Sequence, residues 1–455
     1  MTKTFKRYHI ETKDAISKIK FPSKYKIIRY NNCLNVQECA QTCIFDVHEV
    51  DNNGKITDPF NDYCRGCHLC TFACPKGAIS LGINPEFDKL GDSYYTPDRM
   101  KTIYVESETG RVPVSGTGYK GRFAGKGFDG MWFDFSEIVR PTRDGIHGRE
   151  YISTSVDLGK KLPYLKFDYN RNLVSTLPVC IEIPIPIILD APLFFKKNKN
   201  LLIALAKTAL KLNTFSIIKA EDYNNNLIEY NSNLVPRIFY NKIEKFSYLI
   251  KQSRIVEIEY DNFDIKYLID RIKKYNPSVL ISIHLEYNRN ICEKVDILTK
   301  SGINIIHLYN NEKNSTHNPD FITDSIFHVN SHLINKNIRD EITLITSGGI
   351  AEASHVPKSI ILGADAVGIG LAYQIALGCK VCYGNKHRIN CPINVEEEDI
   401  DLASQRIINL IGSWRDQLLE ILGGMGLREV RRQRGEIGRA MFYKNLEKKI
   451  FGDNT

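Results

Sequence analysis

After residue 175 short apolar runs alternate with longer segments of helical period. The runs are Ile187-Ile188-Leu189, Thr214 to Ile218, Val235 to Phe239, Ile255 to Ile258, Val279 to Ile283, Ile303 to His307, Ile342 to Ile345 and Ala364 to Val367. Most are rich in Ile, Val and Leu with little polar alternation, as parallel strands covered on both faces require. Between most of them lie segments such as Leu201 to Leu212 and Ile265 to Lys274, whose apolar positions recur every three or four residues. Eight strands alternating with helices over roughly 200 residues predict a (β/α)8 barrel of the TIM type, with a doubly wound open sheet as the alternative. From Glu396 to Phe451 the pattern is helical, with a break at Gly423-Gly424-Met425-Gly426.

A barrel of this kind does its chemistry at the C-terminal ends of its strands and binds phosphate after strands seven and eight. Ser347, Gly348, Gly349 and Ile350 follow the seventh run, and Gly368, Ile369 and Gly370 follow the eighth. Glycine there lets backbone N–H groups approach an anion at a helix N-terminus, so a flavin mononucleotide phosphate is the expected guest. The plainer reading is that these glycines only serve tight turns. Cys379, Cys382 and Cys391, the last before Pro392, come next. Three thiolates with His387 among them suit zinc or, at the mouth of a flavin barrel, an iron–sulfur cluster short of one cysteine. Cys180 and Cys292 have no partner at ligand spacing and read as core thiols.

The front of the chain follows a different rule. Of twelve cysteines, seven lie between Cys33 and Cys74. Cys64, Cys67, Cys70 and Cys74 form C-x2-C-x2-C-x3-C before Pro75, the bacterial ferredoxin run. Cys33, Cys39 and Cys43 fit the same spacing, with Val36 where the second ligand belongs. In two-cluster ferredoxins the fourth cysteine of each run ligates the other cluster. Cys64, Cys67, Cys70 and Cys43 are therefore expected to hold a [4Fe–4S] cluster. Cys33, Cys39 and Cys74 are left for a second cluster, either [3Fe–4S] or a [4Fe–4S] with one non-cysteine ligand. A zinc site or buried thiols is the alternative.

These patterns suggest a lead-in over residues 1–20, a two-cluster ferredoxin-like domain over 21–90, a glycine-rich arm over 91–174, the barrel with its cysteine loop over 175–395, and a helical segment over 396–455. Gly116 to Gly121 in the arm spells G-x-G-x-x-G but runs into more glycine instead of opening a helix, which favours an extended arm over a phosphate cradle. The net charge is +8, but the basic residues are dispersed apart from Arg428, Arg431, Arg432, Arg434 and Arg439. No aromatic-basic module accompanies them, so a solvated or sheet-capping face is expected and nucleic acid is not the expected partner. No apolar run reaches the length of a membrane span, and the first residues lack the apolar core of a signal peptide. Clustered thiols without an export signal point to the reducing cytoplasm.

From Phe128-Asp129-Gly130 and Arg140-Pro141-Thr142-Arg143-Asp144 onward, the chain resembles the synthase domain of the glutamate synthase family. The resemblance is strongest at Ser347-Gly348-Gly349-Ile350, Leu362-Gly363-Ala364-Asp365, Gly368-Ile369-Gly370-Leu371-Ala372 and Ala376-Leu377-Gly378-Cys379. It implies an FMN-binding barrel, a [3Fe–4S] cluster on the cysteine loop, and reduction of 2-iminoglutarate to glutamate. It also implies ferredoxin or another electron-donor protein as partner, and a glutaminase subunit to supply ammonia. The chain departs from the family pattern at several strand ends. Asp190-Ala191-Pro192 leads into Leu193-Phe194-Phe195 where the family has small residues, and Ile217 to Asp222 replaces a glycine-rich loop. His284 stands for a lysine, and Tyr309 to Asn314 for a second glycine-rich loop. An alternative expectation follows: an electron-transfer subunit of a larger redox complex, whose barrel has lost its substrate chemistry.

Overall fold

The computed structural model describes residues 8–111, 125–135, 151–162, 164–190, 198–288, 290–310, 320–381, 393 and 395–452. The chain divides into two compact units, Lys18–Lys101 and Met1–Ser17 with Thr102–Thr455.

In the larger unit eight parallel strands close into a barrel. They are β6 (Ile187–Asp190), β7 (Ser216–Lys219), β8 (Leu234–Phe239), β9 (Ile255–Glu259), β10 (Leu280–Glu286), β11 (Ile305–Tyr309), β12 (Thr343–Ser347) and β13 (Ala366–Ile369). β13 pairs back onto β6 through Val367 and Ile187, which excludes the open sheet. The apolar runs became strands because both faces are covered: Ile258, Ile283, Ile306 and Leu344 are fully buried. The helix Lys199–Leu212 shows how local chemistry fixes the ends. Asn198 accepts hydrogen bonds from the N–H groups of Asn200 and Leu201, and Asn213 closes the helix in the left-handed conformation.

The N-terminal end of the barrel is covered by an antiparallel pair, β4 (Val156–Gly159) and β5 (Cys180–Ile183). The Gly159 N–H donates to Thr343 Oγ1 at 3.0 Å, fixing this pair to the start of β12. Cys180, expected in the core, lies exposed on β5, because the strand buries only its alternate residues Ile181 and Ile183. Cys292 is half-buried against the barrel's outer core.

The final stretch is helical over Ile400–Gly424, running through the first two glycines of the expected break. It then contains a strand the helical reading did not anticipate. β14 (Ala440–Phe442) pairs antiparallel with β3 (Met131–Phe133). Residues 8–17 lie along the helix Ile400–Gly424. Buried Arg406 donates to the carbonyls of Ala15 (2.7 Å) and Ala376 (2.8 Å), and Asn409 Nδ2 donates to the Lys13 carbonyl at 2.7 Å.

The smaller unit is built on an antiparallel pair, β1 (Tyr25–Arg29) and β2 (Ile79–Ile83), with short helices Glu38–Thr42 and Leu69–Ala73. Its core is small: Ile27, Cys39, Val47, Ile56, Cys70 and Ile79, with Cys43, Cys64, Cys74 and Leu81 partly buried around them. Thiols thus make up much of the interior. No helix among the described residues is long and apolar enough to cross a membrane.

Candidate functional site

The two cysteine runs repeat one backbone conformation. Cys64 follows Cys33 by 31 residues (64 − 33), and the same offset maps Val36 onto Cys67, Cys39 onto Cys70 and Cys43 onto Cys74. Left-handed residues recur at that offset: Asn35 and Gly66 (φ 56 and 74), Gln37 and His68 (φ 65 and 63), Asp46 and Gly77 (φ 53 and 56). A five-residue helix starts after Gln37 in one half and after His68 in the other. Side chains at φ > 0 are uncommon, so their repetition in matched positions marks an internal repeat, with Val36 standing where the second half has Cys67. The folding brings Cys43 beside Cys64, Cys67 and Cys70 around one small pocket that Ile27, Phe45, Val47 and Leu81 also line. Those four thiols come from both runs. Cys33 lies near enough to Cys39 to raise its thiol pKa, although burial is the larger cause. Burial, then the neighbouring Cys64, pushes the Cys70 thiol up to about 11. Loading an iron–sulfur cluster there must therefore displace protons. Sulfur donors around a mostly apolar pocket, with His48, Arg65 and His68 also on its wall, fit such a cluster.

At the barrel's C-terminal end, Ser347 and Gly368 are register partners on neighbouring strands. Gly348 and Gly349 have φ of 92° and 75°. A Cβ on Gly348 would stand 2.4 Å from the Asn310 carbonyl oxygen, and one on Gly368 would crowd Ser347 and Asp190 at 2.9 and 3.2 Å. Both glycines are therefore required, and bare backbone lies side by side at the ends of strands seven and eight. That arrangement fits the phosphate of FMN, with Ile369 buried and Gly370 preceding the helix Leu371–Ala376. Cys379 is buried just after that helix. Cys382 and Cys391, residues 191–197 and 311–319, and the Gly116–Gly121 motif lie outside the described residues.

Below the mouth, the inner face of the barrel carries a charged network. Arg237 on β8 donates from Nε to Glu257 on β9 at 2.6 Å and from Nη2 to Asp190 Oδ1 on β6 at 2.8 Å. Glu257 Oε2 also meets His307 Nδ1 on β11 at 2.7 Å and the Ser282 hydroxyl at 3.1 Å. On the neighbouring level, His284 Nδ1 on β10 meets Glu259 Oε2 at 2.8 Å, and its ring stacks on Tyr309 at 3.8 Å. Burial alone would raise the Glu257 carboxyl, but the Arg237 charge and the hydrogen bond from His307 outweigh it and hold the group well below the carboxylate range. Burial, then the Arg237 charge, lowers His284 and favours its neutral form. The Nε2 atoms of His284 and His307 have no hydrogen-bond partner among the described residues.

Sequence reasoning named His284 only as a replacement, and passed over Asp190, Arg237, Glu257 and His307 as site residues. The available signal was an ionisable residue inside an apolar strand run: Arg237 between Pro236 and Ile238, and Glu257 between Val256 and Ile258. In a strand covered on both sides such a residue must be paired.

A second buried cluster lies where the strands begin. Asp365 receives Arg339 (2.9 Å), Arg434 (2.8 Å), the Leu344 N–H (2.9 Å) and Lys161 (3.4 Å). Arg431, in the C-terminal basic stretch, pairs with Asp157 and Glu182. Arg431 and Arg434 of that stretch are thus engaged in ion pairs at the covered end of the barrel.

Residues 249–428 match the family model for the conserved region in glutamate synthase. The archaeal-type glutamate synthase [NADPH] of Dehalococcoides mccartyi is 24% identical, over 91% of this chain and 94% of its own length. The archaeal glutamate synthase [NADPH] of Archaeoglobus fulgidus is 22% identical, over 90% and 91%. A solved flavocytochrome b2 mutant with pyruvate bound matches with TM-score 0.43 and 12% identity, over 78% of this chain and 89% of that one. The chain is thus similar to glutamate synthases along nearly their whole length, and residues 249–428 carry the conserved region of that family.

Proposed function

We propose that this chain is an iron–sulfur flavoprotein oxidoreductase of the glutamate synthase type, reducing 2-iminoglutarate to glutamate with ammonia supplied by another subunit. The observation that carries the proposal is the gathering of Cys43, Cys64, Cys67 and Cys70 around one pocket from two repeated halves. Four thiolates of that origin suit a [4Fe–4S] cluster, and Cys33, Cys39 and Cys74 suit a three-thiolate cluster. Cys379, Cys382 and Cys391 are the ligands proposed for a third cluster. Ser347, Gly348, Gly349, Gly368, Ile369 and Gly370 would hold FMN by its phosphate, and the flavin, when bound, supplies reducing equivalents to the imine. The protein's part is to position these centres and to set their potentials through burial and hydrogen bonds, such as the one from the Ala78 N–H to Cys74 Sγ at 3.2 Å. Ferredoxin or another donor protein would deliver the electrons; the relatives' names carry NADPH, so both donors belong in the assay.

One observation favours a second reading, an electron-transfer subunit without substrate chemistry. The barrel's inner face below the mouth is lined by Arg237, Glu257, His284 and His307, largely engaged with one another, where the family pattern has a lysine at the His284 position. Anaerobic purification followed by iron, sulfide and flavin analysis separates the two. Iron, sulfide and releasable FMN support the synthase reading. Iron and sulfide without flavin support the electron-transfer reading. A colourless or zinc-loaded protein defeats both. Val36→Cys is expected to convert an oxidised [3Fe–4S] EPR signal into that of a four-iron cluster.

A further inference from the structure

Inside the barrel, three groups converge that the flavin and cluster chemistry leaves unused. One carboxylate oxygen of Asp190 and one ring nitrogen each of His284 and His307 lie within 4.8 Å of one another, and all three residues are buried. His307 Nε2 stands 3.8 Å from Asp190 Oδ2. From these residues the structure assigns a binding site for a divalent first-row transition cation, held by His284 Nε2, His307 Nε2 and Asp190 Oδ2.

Orientation is the first argument. Each imidazole spends its Nδ1 on a carboxylate, Glu259 for His284 and Glu257 for His307. A carboxylate on Nδ1 fixes the proton there and leaves the Nε2 lone pair exposed, the outer-shell arrangement of metal-bound histidine. Both Nε2 atoms are buried and without a hydrogen bond among the described residues. Two such atoms facing one carboxylate oxygen are costly unless something accepts their lone pairs.

Charge is the second argument. Asp190, Glu257 and Glu259 contribute three negative charges, and Arg237 contributes one positive charge. With neutral imidazoles the network carries a net −2, which a dication neutralises. Arg237 does not compete for the site, because it takes Oδ1 of Asp190 and leaves Oδ2 on the histidine side. Gly368 keeps the space open: its absent Cβ would sit 3.5 Å from His307 Nε2 and 3.2 Å from Asp190 Cβ. Two imidazoles and one carboxylate suit zinc or ferrous iron better than magnesium or calcium. Bonds of about 2.1 Å need donors roughly 3–3.5 Å apart, so the widest pair closes by up to about 1.5 Å on binding.

The site rests on strand residues alone and stands whether or not FMN binds. Zinc is the probe, because iron from the clusters would mask ferrous binding. The anaerobic full-length protein, freed of loose metal with a mild chelator, is titrated with zinc and studied by zinc-edge X-ray absorption. The expected result is one zinc per chain in a nitrogen–oxygen shell with imidazole scattering. His307→Ala and His284→Ala should each weaken that uptake about 100-fold or more, and Glu257→Gln, which only reorients His307, about 10–100-fold. Failure of the wild type to take up zinc, a shell of sulfur only, or unchanged uptake in the double alanine variant would overturn the assignment. If the variants fail to fold, the wild-type stoichiometry and shell still decide it.

Discussion

The barrel buries two charge clusters, one at each end of its strands, and they are finished to different degrees. Around Asp365 four donors converge on one carboxylate, and Arg339 spends its remaining N–H groups on Asn330 Oδ1 and the carbonyls of Ile342 and Gly363. Around Asp190 the acids outnumber the cation and two imidazole nitrogens face inward without a hydrogen bond among the described residues. The closed cluster holds β12, β13 and the C-terminal segment together. The open one keeps reactive groups oriented at the end of the barrel where chemistry is done, and such incompleteness is what a site needs and a scaffold avoids.

The contrast can be broken by substitution. Asp365→Asn leaves Arg339, Arg434 and Lys161 facing one another, and should cost about 3–5 kcal/mol. Both tryptophans, Trp132 and Trp414, belong to the larger unit, so urea unfolding followed by fluorescence reads its stability alone. Next in size, zinc at a hundredfold excess over its dissociation constant should stabilise the larger unit by about 2.7 kcal/mol, an effect absent in His284→Phe. Acid provides a third test. Burial opposes the charge of Asp365, but Arg339, Lys161 and Arg434 hold its carboxyl far below the ordinary aspartate value of 3.8. The folded value lies below the unfolded one, so the stabilisation is present above about pH 4 and is lost as the pH falls below it. In Asp365→Asn that part of the acid dependence should vanish. Without metal, His284→Phe should change stability by only about 1 kcal/mol, because the ring can still stack on Tyr309 and Glu259 is partly exposed to water. Smallest of all, Arg431→Ala removes pairs at a half-exposed rim and should cost less than about 1 kcal/mol.

The barrel was legible because each strand is a compact apolar run, and the observed limits differ from the expected ones by a few residues. β14 was not, since three residues are too few to show a period of two and they follow a long helical pattern. The gathering of the cysteines was legible because their spacing is written in the sequence itself. The Asp190 network was hidden for the opposite reason. Its members come from strands one, three, four, five and six, and their meeting depends on barrel closure and register, which no local pattern records. Asp365 was noticed only as part of a glycine-rich motif, and the arginines that neutralise it lie far along the chain.

The strap of residues 8–17 along the helix Ile400–Gly424 bears on how the molecule is made. During synthesis this segment, made some 390 residues ahead of its partners Arg406 and Asn409, must wait undocked until almost the whole barrel has left the ribosome. The cysteine-rich segment forms a compact unit of its own over Lys18–Lys101, so it has no such delay and is free to fold while the rest is still being translated. Loss of the last fifty residues should therefore leave that unit intact while denying the leading strap its berth.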